Sequence, residues 1–225
     1  MDTTLTPISS AAFGPAQARH LLLRAGFGAS PDQITKLVKA GPQKAVQGLL
    51  DPSSSQDVVA DIDPDVIRPQ TAEERAIFIK ARRENDEAAR SEVRRRLNER
   101  RAQDRRMLGD LRRWWVELMV QTPAVLRENL VLLWHSHFAS RHRNVRDSYL
   151  MYQQNQMFRE HAAGSFADLA RAVVHDPAML KFLNNDQNNK RKPNENLARE
   201  FMELFTLGEG NYSEKDIKQG ARALT

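Results

Sequence analysis

Two histidines separated by one residue are candidate metal ligands. His135 and His137 flank Ser136 in the stretch Trp-His-Ser-His-Phe-Ala. Imidazole is a common ligand of zinc and related metals. In a continuous helix, residues i and i+2 point about 200° apart, so both can bind one ion only if the helix ends between them. The alternative is structural, with one imidazole in the core beside Trp134 and the other exposed.

Glutamates on one predicted helix are the second set of candidates. Glu200 and Glu203 are three residues apart and share a helix face, and Glu195 precedes them by more than a turn. Two carboxylates beside an apolar stripe can bind a divalent metal together with the two histidines, or share a proton as an acid–base pair. The alternative is that they neutralise Arg199 in a buried network. The candidate metal ligands are therefore His135, His137, Glu200 and Glu203, although the Glu-x-x-His motif of di-iron bundles is absent.

Other reaction types have little support in the sequence. The chain has no cysteine, which excludes disulfides, thiolate zinc sites and a cysteine nucleophile. It contains neither a Gly-x-Ser-x-Gly motif nor a Gly-Lys-Ser/Thr phosphate loop. The polar loop 184–190 has many side-chain oxygens but not the residue order of an EF-hand, so turn formation explains it better. No catalytic constellation is complete, and whether the protein is an enzyme stays open.

The elements that must position these side chains are all predicted to be helices. Ser30, Pro31 and Gln33 have the types and spacing of a helix start, and Gly41 ends that helix. Strict polar–apolar alternation with β-branched residues is missing, which disfavours strands. We therefore predict an all-α fold. Outside the charged segment the predicted helices are 16–25, 32–39, 42–50, 124–138, 148–163, 166–175, 177–183 and 195–207, with a last one that Ser213 opens.

One long segment carries the whole excess of positive charge. The chain has 34 Lys and Arg against 29 Asp and Glu, and residues 71–113 contribute 14 of the former and 9 of the latter. Residues 71–121 lack proline, and a single helix of that length would span about 75 Å, so it must protrude, bend or form a helical hairpin. The charge is typical of a surface for nucleic acid or an acidic partner. Interleaved acidic residues and the lack of aromatic residues between Phe78 and Trp114 favour a solvated helix instead.

The composition is that of a folded chain without membrane spans. Apolar residues make up 40% and charged residues 28%, which excludes a wholly disordered chain. The longest unbroken apolar stretch has five residues, against the ~20 that a membrane helix needs. The first residues lack the features of an export signal, so the sequence as written predicts a cytoplasmic protein. We expect N-terminal helices over 1–50, a connector over 51–70, a charged arm over 71–113 and a helical core over 114–225.

Several stretches of sequence, in their order and spacing, resemble a known family. They are 19–28 (RHLLLRAGFG), 134–139 (WHSHFA), 154–159 (QNQMFR), 176–180 (DPAML), and 193–210, which contains ENLARE and ELFTLGEG. The chain resembles the bacterial family catalogued as domain of unknown function eighteen-hundred. The resemblance implies a largely helical, often exported and longer protein, of which this sequence looks like the N-terminal half. It implies no reaction. The absence of a helix stop signal before Thr225 agrees with that expectation.

Three functions are compatible with these observations. We favour a scaffold or interaction domain that contacts a protein partner through its helical surface, because no catalytic constellation is complete. The alternatives are a metal-dependent enzyme with a His/Glu cluster, and a nucleic-acid-binding protein that uses the arginine-rich helix. We also expect residues 134–137 and 195–203 to pack together, since each helix has an apolar stripe that needs a partner. The sequence does not indicate the oligomeric state.

Overall fold

The computed structural model describes residues 6–51, 61–63, 66–69, 71–73, 75–76 and 87–225, and its regular structure is helical, as predicted. Within these residues, no helix combines the length and apolar character needed to cross a membrane. The helices are α1 (Pro15–Ala25), α2 (Pro31–Ala40), α3 (Pro42–Leu50), α4 (Glu87–Gln121), α5 (Val125–His137), α6 (His142–Val145), α7 (Ser148–Glu160), α8 (Phe166–His175), α9 (Pro177–Phe182), α10 (Asn196–Glu200) and α11 (Glu214–Ala223). Short 3-10 turns occupy Ser10–Ala12 and Asn185–Gln187, and a π-helical turn, Phe201–Thr206, continues α10.

The predicted helix starts are formed by local hydrogen bonds. Before α2, the Ser30 amide donates to Gln33 Oε1 at 2.9 Å, and the Gln33 amide donates to Ser30 Oγ at 3.2 Å. The Asp147 carboxylate accepts from the first amides of α7, and the Asp176 carboxylate accepts from the Met179 amide in α9 at 2.8 Å. These side chains satisfy amides that a helix leaves without a partner at its first turn.

The main core lies between α5, α7, α8, α9 and α10. Phe138 and Phe158 are fully buried and stack with their ring centres 6.1 Å apart. The remaining fully packed members of this cluster are Val131, Ala162, Leu169, Val173, Met179, Leu183, Leu197 and Phe205. A second, smaller cluster of Phe13, Ala18 and Ala45 joins α1 to α3. The core therefore draws on helices from most of the region that we predicted as a helical core.

Helix α4 has 35 residues, which corresponds to about 52 Å. Met107, Leu111 and Leu118 are buried and lie on one face of its C-terminal half. Ile67 is 2% exposed and packs against Met107 and Leu111. Part of the predicted connector thus packs on the arm, and residues 52–60, 64–65 and 70 of it lie outside the described residues.

The predicted charged segment does not run as one straight helix from Thr71. Glu73 and Arg95 line the same cavity of about 600 Å³. A straight helix would place them about 33 Å apart. Residues near Glu73 and the middle of α4 are therefore close in space, which excludes one straight helix and leaves a bend or a helical hairpin as predictions. Residues 77–86 lie outside the described residues, and the predicted domain boundaries stay predictions.

A close backbone approach joins α1 to α5. A Cβ atom at Gly26 would lie 3.0 Å from both Cβ and Cγ2 of Val125. Beside it, the Asn129 side-chain amide donates to the Arg24 main-chain oxygen at 3.2 Å. Glycine is therefore the residue that lets the end of α1 dock on the start of α5.

We expect Gly26→Ala to lower the free energy of unfolding by about 1–3 kcal/mol, because the added methyl forces Val125 and α1 apart. Gly109→Ala is the matched control, since a Cβ at Gly109 in α4 has no neighbour within 4 Å. That control should be neutral or stabilising by up to about 1 kcal/mol. Urea unfolding of both variants measures the difference. A Gly26→Ala protein as stable as the wild type would contradict the close approach.

Candidate functional site

The two candidate histidines lie on one continuous helix and face different surroundings. Helix α5 continues through His137. His137 Nε2 is 3.0 Å from the Phe205 main-chain oxygen, and since a carbonyl only accepts, Nε2 carries a proton and donates it. The His135 ring lies between Trp115 and Phe158, with ring centres at 5.0 and 4.7 Å. Both imidazoles are half-buried, so the expectation that one would be exposed is wrong.

The predicted helix over 195–207 is partly a π-helix. The Leu207 amide donates to the Met202 main-chain oxygen at 2.8 Å, a spacing of five residues rather than four. The wider turn begins at Phe201, between Glu200 and Glu203. As a result, side chains on either side of it lose the i,i+4 relation of an ideal helix.

The predicted pairing of Arg199 with Glu203 is replaced by other contacts. Arg199 donates to Glu214 at 2.7 and 3.0 Å and to Glu195 at 3.2 Å. Glu203 accepts from the Tyr212 hydroxyl at 3.1 Å. The Arg199 side chain is 35% exposed, so this ion-pair network lies at the surface and not in the core.

The direct contact that the structure shows near the two candidate segments involves Phe205, two residues beyond 195–203, and no carboxylate. Trp134 packs on the core that contains Leu197, and His137 contacts Phe205. Throughout the described part of the chain, no group of three or more His, Asp or Glu side chains is arranged to hold a metal ion. A metal site that uses His135, His137, Glu200 and Glu203 stays a prediction, for which metal analysis of the purified protein is the test.

A buried ion pair that the sequence analysis missed joins three helices. Glu128 on α5 is fully buried and accepts from Arg159 Nε at 2.8 Å and Nη2 at 3.0 Å. The Trp115 indole on α4 donates to the same carboxylate at 3.0 Å. The sequence contains one signal for it: Glu128 shares a helix face with Ala124 and Val131, which are both buried.

The ion pair continues to His135 through an amide. Arg159 Nη2 donates to Asn155 Oδ1 at 2.7 Å, and Asn155 Nδ2 lies 3.2 Å from His135 Nε2. Because Asn155 Oδ1 accepts from the guanidinium, its amide nitrogen donates to His135, which places the imidazole proton on Nδ1. Burial, reinforced by the positive charge of Arg159, lowers the pKa of His135 to about 4. His135 is therefore a neutral imidazole of defined tautomer near neutral pH.

A second polar cluster fastens α4 to the start of α7. Asp104 accepts from His142 Nε2 at 2.7 Å and from the Ser148 amide at 2.7 Å, and Ser148 Oγ donates to the Asp104 main-chain oxygen at 2.8 Å. Burial alone would raise the pKa of Asp104, but the hydrogen bonds from His142 and Ser148 outweigh burial and lower it.

This Asp-His-Ser cluster is not a catalytic triad. A triad needs both imidazole nitrogens, one toward the acid and one toward the nucleophile. Here Nε2 of His142 is the atom near both Asp104 and Ser148. Ser148 is also fully buried. The cluster is therefore structural, and we call Asp104, His142 and Ser148 together the Asp104 clamp.

The clamp sits in a groove that arginines line from two sides. We call it the arginine groove, a cavity of about 750 Å³ lined by Leu97, Arg100, Arg101, Asp104, Arg105, His142, Arg143 and Arg146. Four of these arginines, all exposed, form no ion pair with a carboxylate in the described residues: Arg101, Arg105, Arg143 and Arg146. The excess of positive charge in the sequence points to the arginines of α4 but not to those in and beside α6, which is one turn long.

A second cavity, the inner pocket, adjoins the arginine groove and shares His142 and Arg143 with it. Its volume is about 490 Å³, and it is lined by Leu108, Leu111, Arg112, Trp115, His135, Ser140, Arg141, His142, Arg143, Met151 and Asn155. Its lining is thus partly apolar and partly cationic, and it also includes the neutral imidazole of His135. The groove and the pocket together are the candidate functional site.

We expect Glu128→Gln to lower the free energy of unfolding by about 3–5 kcal/mol, because it leaves the Arg159 charge buried without a counter-charge. Glu195→Gln is the matched control, since the Glu195 carboxylate pairs with Arg199 at a site where both side chains are about one-third exposed. Loss of such a pair costs about 1 kcal/mol or less. Equal losses in denaturant unfolding would contradict the structural role of the buried pair.

The lowered pKa of His135 predicts a pH-dependent stability. The unfolded histidine has a pKa of about 6.5, so below that pH the unfolded state binds the proton and the folded state does not. The free energy of unfolding of the wild type should therefore fall between pH 6.5 and 4, by about 3 kcal/mol in total. His135→Gln should lack this part of the pH dependence. Unfolding curves of the two proteins that run parallel over this range would contradict it.

Comparison with known proteins shows the family of the chain. A family model described as Protein of unknown function (DUF1800) matches residues 20–225, and so includes both cavities and the helices that form them. No curated protein matches the chain, and neither does any solved structure. The match covers all but the first 19 residues. The chain therefore belongs to the family described as Protein of unknown function (DUF1800).

Proposed function

We propose that this domain is an interaction module that binds an acidic segment of a protein partner in the arginine groove. The observation that carries the proposal is the placement of unpaired arginines from α4 and from the α6 region around one cavity. A guanidinium group donates two parallel hydrogen bonds to a carboxylate. Several of them facing one groove therefore suit a run of aspartate or glutamate side chains.

The carboxylate of Asp104 does not neutralise the positive charges of the arginines that line the groove. Asp104 is the one carboxylate that lines it among the described residues. Its two oxygens accept from His142 and from the Ser148 amide. The positive charge of the surrounding arginines is therefore available to a partner.

The clamp also supports binding by holding the two walls of the groove in place. Asp104 belongs to α4, whereas His142 and Ser148 belong to α6 and α7. Three short contacts to Asp104 thus fix one wall relative to the other before any partner binds. A preformed groove loses less conformational entropy on binding than a flexible one.

A protein segment agrees better with the lining than nucleic acid does. Proteins that bind single strands stack bases on aromatic side chains. In the described part of the chain, the arginine groove has no aromatic lining residue. The adjoining inner pocket offers Leu108, Leu111 and Met151, which suit an apolar side chain next to acidic ones.

Charge reversal tests the proposal with a fluorescent, glutamate-rich peptide as the probe. Arg101→Glu combined with Arg146→Glu changes both walls of the groove, and we expect it to weaken peptide binding by about tenfold or more at low salt. Lys190→Glu with Arg191→Glu is the control, because it makes the same change of charge in an exposed loop. That control should weaken binding by about twofold or less.

Three outcomes would overturn the proposal. Absence of peptide binding at low salt would exclude an acidic partner. Equal weakening by the two double variants would mean that net charge, and not the arginine groove, attracts the peptide. Tighter binding of a single-stranded oligonucleotide of the same charge, lost in the groove variant alone, would identify nucleic acid as the partner class.

A further inference from the structure

The inner pocket has the size of a small-molecule site. Its volume of about 490 Å³ lies within the range of roughly 300–1,000 Å³ that is usual for ligand pockets. Its lining residues come from α4, α5, α6 and α7 and from the turn that precedes α6. Those helices are held together by the buried Glu128–Arg159 pair and by the Asp104 clamp. The pocket is therefore built on rigid elements.

One part of the pocket lining is apolar and includes a large ring. Leu108, Leu111 and Trp115 follow one another along α4, and Met151 lines the pocket from α7. Leu111 belongs to a packed cluster, so its position is fixed. An indole with aliphatic neighbours suits a flat apolar group, since aromatic rings favour stacked or edge-on contacts.

A second part of the lining is one oriented hydrogen-bond donor. His135 Nε2 already accepts from Asn155, which leaves the Nδ1–H group, and no hydrogen bond to Nδ1 is formed in the described residues. No buried side-chain nitrogen or oxygen lacks a partner in this part of the chain. The Nδ1–H group must therefore be accessible, and His135 lines the pocket. It can donate to an acceptor atom of a ligand.

The third part of the lining is cationic. Arg112, Arg141 and Arg143 line the pocket, are exposed, and form no ion pair with a carboxylate within the described residues. Guanidinium groups bind carboxylate and phosphate oxygens in the same geometry. The pocket lining thus contains no anionic side chain among these residues, and three cationic ones.

We propose that the inner pocket binds a small organic anion with a flat apolar body, of the arylcarboxylate or aryl phosphate class. The ring would lie against Leu111 and Trp115, the anionic group against the arginines, and His135 Nδ1–H would donate to a ligand oxygen. The inference goes beyond the proposed acidic partner, because it concerns a different kind of ligand in a different cavity. The proposal for the inner pocket does not depend on whether the arginine groove binds an acidic partner.

Calorimetric titration with four simple probes tests the chemistry. We expect benzoate, phenyl phosphate or both to bind, and the tighter of the two distinguishes a carboxylate from a phosphate ligand. Benzamide keeps the ring without the charge, and acetate keeps the charge without the ring. Each should bind about tenfold more weakly than the better anion, because each lacks one of the two contacts.

Three variants test the location. His135→Phe keeps the packing between Trp115 and Phe158 but removes the donor, and should weaken the better anion by about tenfold. His175→Phe is the control at an exposed position of α8, and should leave binding unchanged. Leu108→Trp places a larger side chain in the lining at a residue that is not part of the hydrogen-bonded chain to His135. It keeps the test valid if His135→Phe fails to fold, and it should abolish binding.

The outcomes separate this inference from the proposed function. Unchanged anion binding in Leu108→Trp or in a folded His135→Phe would overturn the pocket assignment. Acetate that binds as well as benzoate would reduce the site to a simple anion contact and overturn the ligand class, and so would failure of both aryl anions to bind. Arg101 and Arg146 line the arginine groove and not the inner pocket, so loss of peptide binding with unchanged aryl-anion binding in the Arg101→Glu, Arg146→Glu protein reports on the groove alone.

Discussion

The position of the candidate site depends on one buried carboxylate, which must be paired with a positive charge and hydrogen-bond donors. Glu128 lies inside the protein, and a buried charge is tolerated only with an opposite charge and a full set of hydrogen bonds. Arg159 and the Trp115 indole supply these. Because the three residues belong to α5, α7 and α4, satisfying one carboxylate fixes the relative positions of three helices. Apolar packing alone tolerates small sliding movements more readily than such a directional contact does.

The same network divides the charges of the protein into internal and external ones. Glu128 and Asp104 are both engaged within the fold, whereas several arginines on α4 and around α6 face the two cavities. The overall excess of +5 therefore understates the local charge at the site. The hydrogen-bonded chain that ends at His135 adds a neutral donor among these cations. A binding surface with directional and electrostatic features arises from contacts that also stabilise the fold.

Features that depend on residues close together in the sequence could be predicted, whereas contacts between residues far apart in the sequence could not. Helix ends were predictable because a Ser30 or Asp176 cap acts within three residues of itself, and the family was predictable from motifs that the family model also matches. The Glu128–Arg159 pair spans 31 residues, and helical periodicity does not say which helices become neighbours. His135 was predicted as a metal ligand and not as a partner of Asn155, since nothing in the sequence places Asn155 beside it.

The π-helical turn over Phe201–Thr206 changes which residues of this helix share a face. One extra residue in a turn rotates everything after it by about 100° relative to an ideal α-helix. Residues before and after the turn that share a face on a helical wheel thus point in different directions in the protein. The rotated carbonyl of Phe205 faces His137, so the irregular turn and the histidine fit each other as a pair. Any alignment that shifts one residue across this turn would therefore assign the residues after it to a helix face about 100° away from their true one.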